Sequence, residues 1–143
     1  MHFLDVLTIL CSGLMIGNEL AVSLFVNPAI WKLNDQAQAS LLARSLGKAM
    51  PFWYALCLIL LGTEAYLRRE EAGRTLLLAA AVLWAAIIVY TIFALVPINN
   101  RVGASLPDSG QWRQDHKAWD KLHRWRILFL IVAMLCFLRG ILR

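Results

Sequence analysis

The segment "HKAWDKLHRWR" sets Trp119, His123 and Arg126 three, seven and ten residues after His116. On a helix of 3.6 residues per turn these four side chains share one face. Histidine titrates near neutrality and arginine stays cationic, so the pair His123 and Arg126 has the chemistry to bind and deprotonate an acidic phenol. The same face is equally readable as a solvated helix beside a membrane, its basic residues meeting phosphates. Two histidines seven apart, without a Glu-x-x-His pair, do not make a ferritin-like metal site, and no metal ligand is predicted.

A second stripe lies far away in the chain, in "CSGLMIGNELAVSLFVNP". Ser12, Glu19, Ser23 and Asn27 fall close to one helical line, while Gly13, Gly17 and Ala21 form a small-residue ridge at four-residue intervals. Both stripes are expected to face protein, and the ridge is a candidate contact for a homo-oligomer. A carboxylate in hydrocarbon costs at least roughly 2.5 kcal/mol, so Glu19 reads as a functional candidate with a partner elsewhere. The competing reading is a protonated Glu19 hydrogen-bonded to a neighbouring helix.

These residues sit in a chain of 143 residues that is 60% hydrophobic and 16% charged, with a mean hydropathy of +0.63. That balance lies outside the range of a soluble domain and makes the bilayer the expected solvent. Spans need roughly 20 mostly apolar residues, and four segments qualify: 3–30, 49–67, 75–98 and 122–142. The expected fold is all-α, a single integral membrane four-helix bundle over 1–143, with interfacial helical extensions in the two long connections. The first apolar run has no basic n-region and is too long for a signal peptide, so it is read as retained.

The chain carries a net charge of +5. Its basic residues stand beside the span ends, where lipid head groups account for them, and no nucleic-acid partner is expected. Nine Lys and Arg fall on the side of the two long connections and five on the other, which favours long loops in the cytoplasm of a bacterial inner membrane. Cys11, Cys57 and Cys136 lie within spans, without a C-x-x-C pair, and are read as small hydrophobes. Glu64 and Arg68 are expected to pair along one helix, as are Asp120 and Arg124.

The first long connection, with Asn34 or Asp35 as N-cap and Leu41, Leu42 and Leu46 at helical spacing, is predicted to extend the second span. The second holds a loop, "GASLPDSGQ", before a helix that enters the fourth span. The ends of spans 1 and 3, "FVNPAI" and "LVPINN", are alike enough to hint at an internal repeat. Since the ends of spans 1 and 3 and the start of span 4 share one side, Asn27, Asn99, Asn100, Trp119, His123 and Arg126 are expected to meet at one mouth of the bundle. Glu19, eight residues before Asn27, would lie roughly 12 Å deeper and form the floor.

"VPINNRV", a gap of about twenty residues and "WDKLHRWRILF" together resemble the anthrone-oxygenase-like family of small four-span membrane proteins. The likeness in length and span layout covers nearly the whole chain. Its specific part is the asparagine pair followed by Trp119, Asp120, His123 and Arg126. The resemblance implies an oxygenase that converts anthrones to anthraquinones with O2, without a flavin or haem motif, and no cofactor is predicted. In that reading His123 is the base and Arg126 with Asn99 or Asn100 stabilises an oxyanion; apart from the resemblance, the cost of a carboxylate in hydrocarbon makes Glu19 a third catalytic candidate, and Asn27, Asn99, Asn100, Trp119 and His116 are the candidates for binding substrate. The implied partners are membrane lipids and an apolar aromatic, anthrone- or quinol-like substrate. The alternatives are a non-enzymatic pocket for a lipid, quinone or small ion, and a structural membrane subunit.

Overall fold

A computed structural model describes residues 2–33, 36–104 and 110–143. Among these residues every regular element is helical. Helix α1 (Phe3–Ala21) runs through a π-helical turn at Val22–Val26 into α2 (Asn27–Leu33). Helix α3 spans Gln36–Leu67. Helix α4 (Arg74–Tyr90) passes through a second π-helical turn, Thr91–Leu95, into α5 (Val96–Ala104), and α6 spans Gly110–Ile141. Three of these rods are long and apolar enough to cross a membrane: Phe3–Lys32, Met50–Leu67 and Arg74–Ala104.

The predicted helical extensions are present, since α3 begins at Gln36 and α6 at Gly110 without a break before their apolar halves. The N-cap assigned to Asn34 or Asp35 and residues 105–109 of the predicted loop lie outside the described residues. Of the residues read as loop, Gly103 and Ala104 still belong to α5, and Gly110 and Gln111 already belong to α6.

The likeness of "FVNPAI" and "LVPINN" has a physical cause. Pro28 and Pro97 each stand two residues beyond a π turn. A proline lacks the N–H that an α-helix needs and crowds the carbonyl four residues back. Widening the preceding turn accommodates it, and the Asn27 and Val96 N–H groups then bond five residues back, to the Val22 and Thr91 carbonyls. Such turns re-aim nearby side chains and recur at functional sites. Here they follow Glu19 on one rod and precede Asn99 on the other.

The rods form a ring. Helix α1 packs on α3 and α6, and α4 packs on α3 and α6, with each neighbour antiparallel. The core between them includes Met15, Cys57, Leu61, Leu77, Trp84, Leu130 and Phe137. Trp84 is fully buried and its indole N–H donates to the Tyr54 carbonyl at 3.2 Å, fixing α3 against α4 beside the site. At the short-turn end a Cβ on Gly73 would collide with the carbonyl oxygen of Gly140, so only glycine lets α6 close there. A smaller cluster of Ile30, Val102 and Trp112 ties α2, α5 and α6 together at the other end.

The ridge of Gly13 and Gly17 faces outward from the described helices of this chain, because a Cβ at either position would meet nothing within 4 Å. The polar stripe of Ser12, Glu19, Ser23 and Asn27 takes the buried face instead. The two stripes lie on different sides of one cylinder, and burying the carboxylate satisfies the larger desolvation demand.

Candidate functional site

Glu19 is 2% exposed, and its partners come from two other helices. Arg126 Nη2 donates to Glu19 Oε2 at 2.6 Å, and the Tyr54 hydroxyl donates to Oε1 at 2.9 Å. The same guanidinium nitrogen lies 2.9 Å from His123 Nδ1, and His123 Nε2 lies 3.2 Å from the Glu19 backbone carbonyl. A guanidinium only donates and a carbonyl only accepts. His123 is therefore set as the neutral tautomer with hydrogen on Nε2 and its Nδ1 lone pair filled by Arg126.

Each position follows from local structure. The i, i+3 spacing of His123 and Arg126 on α6 turns both toward α1. Trp119, one turn earlier, stacks on the His123 ring with centroids 4.5 Å apart and planes 13° from parallel. This stack and the Nε2–H bond hold the imidazole in one orientation. Arg126 also lies over the Tyr54 ring, 5.6 Å from its centroid, so tyrosine contacts the cation through its face and the carboxylate through its hydroxyl. Arg126 Nε is buried and has no hydrogen-bond partner among the described residues, which leaves an N–H donor for a further oxygen.

Beside this cluster is a cavity of about 180 Å³. Its polar lining comes from Glu19, Tyr54, Asn99, Trp119, His123 and Arg126, with Thr91 from the second π turn. The remaining lining is apolar. Pro51 and Ala55 of α3 face Ile92 of the π turn and Val96 of α5, all four exposed on the outer flank of the ring. The opening is thus a gap between apolar side chains of two adjacent rods.

Of the residues expected from the sequence to form a site, Glu19, Asn99, Trp119, His123 and Arg126 meet at this cavity. Asn27, Asn100 and His116 do not line it. Asn27 is buried and donates to Asp120 Oδ1 at 3.0 Å, and Asp120 also pairs with Arg124 at 2.9 Å, so this group locks α2 to α6. Asn100 is exposed, one residue round from Asn99 and hence about 100° away on the helix. His116 is one turn beyond Trp119 and stacks on Trp31 at 4.5 Å and 13°. Burial holds its imidazole below the ordinary value of 6.5, against the opposing pull of Asp120.

Sequence reasoning missed Tyr54, because a tyrosine at the start of an apolar span reads as an interfacial anchor. It also missed Asp5 on the first turn of α1. Arg68 binds both Glu64, as expected, at 3.2 Å and Asp5 at 2.6 Å. Cys11 and Cys57, read separately as hydrophobes, have sulfurs 3.6 Å apart and are free thiols. Among the described residues no three His, Cys, Asp or Glu side chains gather in a way that would hold a metal ion.

Fold and site together define an all-helical protein with three membrane-length apolar helices and a buried Glu–Arg–His–Tyr cluster walling an apolar cavity. The sequence model of the anthrone oxygenase family matches residues 40–136, well over half of the chain, and the chain belongs to that family. The match takes in Tyr54, Asn99, Trp119, His123 and Arg126, whereas Glu19 lies before it. No curated protein and no solved structure matches the chain.

Proposed function

We propose that the chain is a four-span membrane oxygenase that takes an apolar, weakly acidic aromatic substrate of the anthrone type from the lipid and oxidises it with O2. The carrying observation is the 2.6 Å ion pair between Glu19 and Arg126 in the wall of a largely apolar cavity. Three spans are the rods long and apolar enough to cross; the fourth is the apolar half of α6. The apolar mouth between α3 and the α4–α5 rod faces the acyl chains, and the long connections lie in the cytoplasm.

The proton acceptor in this reading is Glu19 and not His123. The Nδ1 lone pair of His123 is already filled, whereas a carboxylate has about four acceptor sites, of which Tyr54 and Arg126 use two. Glu19 takes a proton from the ring methylene, and the electron pair of the C–H bond passes into the ring system and onto the carbonyl oxygen. Arg126 Nε–H and Asn99 are the donors for that oxyanion. Negative charge moves from Glu19 to substrate while Arg126 stays cationic beside both, so no lone charge forms where solvation is poor.

The carbanion gives two electrons in all to O2, forming a C–O bond. With the proton returned by Glu19 this is a hydroperoxide. Loss of water, made from the outer peroxide oxygen, that same proton and the second ring hydrogen, leaves the quinone carbonyl. One anthrone and one O2 thus yield one anthraquinone and one water. His123 keeps Arg126 aimed, and Trp119 keeps His123 in place.

The test is oxygen uptake and quinone formation by the purified full-length chain in detergent with anthrone. The expected result is a rate well above autoxidation that Glu19→Gln abolishes. A rate equal to autoxidation for the wild-type chain overturns the reading, and so does full activity in Glu19→Gln.

A further inference from the structure

A line of buried polar side chains continues from the site to the opposite end of the molecule, along the contact between α1 and α3. On α1 it comprises Asp5, Thr8, Ser12 and Glu19, each no more than 2% exposed. Facing them are Tyr54, Cys57 and Glu64 on α3 and Arg68 in the turn that follows it. The antiparallel register is fixed at three points: Tyr54 on Glu19, Cys57 on Cys11, and Arg68 on Asp5. That register sets Thr8 opposite Leu61 and Glu64.

Most of the seam plays no part in the chemistry at the cavity, and burying it between two lipid-facing helices costs free energy. Nor does the protein itself satisfy it. Thr8 Oγ1, Ser12 Oγ and Glu64 Oε1 are buried without a hydrogen-bond partner among the described residues. Ser12 lies beside the Cys57 thiol without a well-formed bond to it. Buried hydroxyls and carboxyl oxygens in this situation are where internal water binds.

Charge at the far end points the same way. Asp5 and Glu64 face each other and, among the described residues, share one paired cation, the partly buried Arg68. The other titratable groups there are His2, whose backbone N–H donates to Asp5, and the exposed Glu71, 3.6 Å from Arg68. Two buried carboxyl groups on one guanidinium form a place where a proton can be taken up between them.

We infer that this seam is a proton path that connects Glu19 at the cavity with the Asp5–Glu64 pair at the short-turn end, through the hydroxyls of Thr8 and Ser12 and the side chains of Cys57 and Tyr54. It rests on the membrane placement given above. From Asp5 to Glu19 is fourteen residues of α1, a rise of about 21 Å. Met15 and Ile16 fill α1 between Ser12 and Glu19, so α3 carries that stretch, with Tyr54 and Cys57 one turn apart. The path lets Glu19 equilibrate its proton with the phase on the short-turn side, and the polar end of the cavity, lined by Asn99 and Trp119, links Glu19 to the phase on the long-connection side.

The experiment uses the full chain in potassium-loaded vesicles that contain a pH-sensitive dye, with valinomycin setting the membrane potential. Internal pH is followed without any aromatic substrate, so the outcome is independent of oxygenase activity. The wild-type chain is expected to move protons roughly tenfold faster than empty vesicles, with Glu64→Gln and Ser12→Ala close to the empty-vesicle rate. Thermal melting of both variants, together with a Leu78→Ala control on the outer face of α4, separates loss of the path from loss of the fold. Wild-type flux equal to that of empty vesicles overturns the path, as does undiminished flux in folded Glu64→Gln and Ser12→Ala.

Discussion

Arg126 Nη2 and Glu19 Oε2 lie 2.6 Å apart although 107 residues separate them in sequence. That contact joins the last rod to the first and closes the ring. Removing either partner strands a buried charge, and the cost is about 3–5 kcal/mol for a buried pair broken on one side. Thermal unfolding in detergent should show Glu19→Ala and Arg126→Ala each near that cost, with the double variant far less destabilised than their sum.

Tyr54→Phe deletes one donor to Glu19 and leaves the ring under Arg126. A hydrogen bond to a charged group contributes about 1.5–3 kcal/mol, and a loss of that size is expected in a melting or denaturant experiment. Anthrone turnover should fall by about tenfold, less than the roughly hundredfold or more expected for loss of an acid–base residue itself. A Tyr54→Phe chain with unchanged turnover would place the hydroxyl outside the chemistry.

The mouth offers a test that leaves the ion pair untouched. Ala55 is exposed and lines the opening opposite Ile92. Ala55→Trp should raise KM for anthrone severalfold, with little change in melting temperature, because surface substitutions away from buried features fall within about 0.5 kcal/mol. Equal KM for the variant and the wild-type chain would mean that substrate enters elsewhere.

His116 gives a pH dependence with a definite sign. Its folded-state value lies below the ordinary 6.5 because burial disfavours the imidazolium. Its neutral form is therefore favoured by folding, and that stability is fully present above 6.5 and is lost as pH falls below it toward the folded value. Melting temperature measured from pH 8 to pH 5 should drop more steeply for the wild-type chain than for His116→Phe, which keeps a ring against Trp31. Asp115 acts lower. The Arg101 hydrogen bonds hold its carboxyl below the ordinary 3.8, so its contribution is full above 3.8 and fades only as pH falls through the lowered value. Arg101→Ala should leave the slope between pH 8 and pH 5 unchanged.

Gly73→Ala places a methyl group against the Gly140 carbonyl. Neither is the end of a flexible side chain, so backbone must move, and a cost of about 1–3 kcal/mol is expected. Comparison of melting midpoints for Gly73→Ala and the exposed Gly13→Ala, which meets no neighbour, isolates this contact.

The sequence by itself determined the helices and which of their faces could carry chemistry. Long apolar runs need all backbone groups satisfied within the segment, so the rods and their extensions follow from composition and period. The spacing of Trp119, His123 and Arg126 fixes their common face whatever they pack against, and hydrophobic cost marks Glu19 as a residue in need of a partner. Periodicity holds within one helix, however, and carries no information about rotation or depth between helices.

The tertiary structure therefore decided the pairings. It chose Arg126 and Tyr54 as partners of Glu19 and set His123 Nδ1 against the same guanidinium. It turned Asn27 to Asp120, left Asn100 outside and set His116 against Trp31. It also joined Asp5 to Glu64 through Arg68, making one seam of residues that in the sequence lie on two separate spans. In a low-dielectric interior each buried charge takes the counter-charge that packing brings within reach, and helix rotation, which one chain's periodicity cannot fix, determines which one that is.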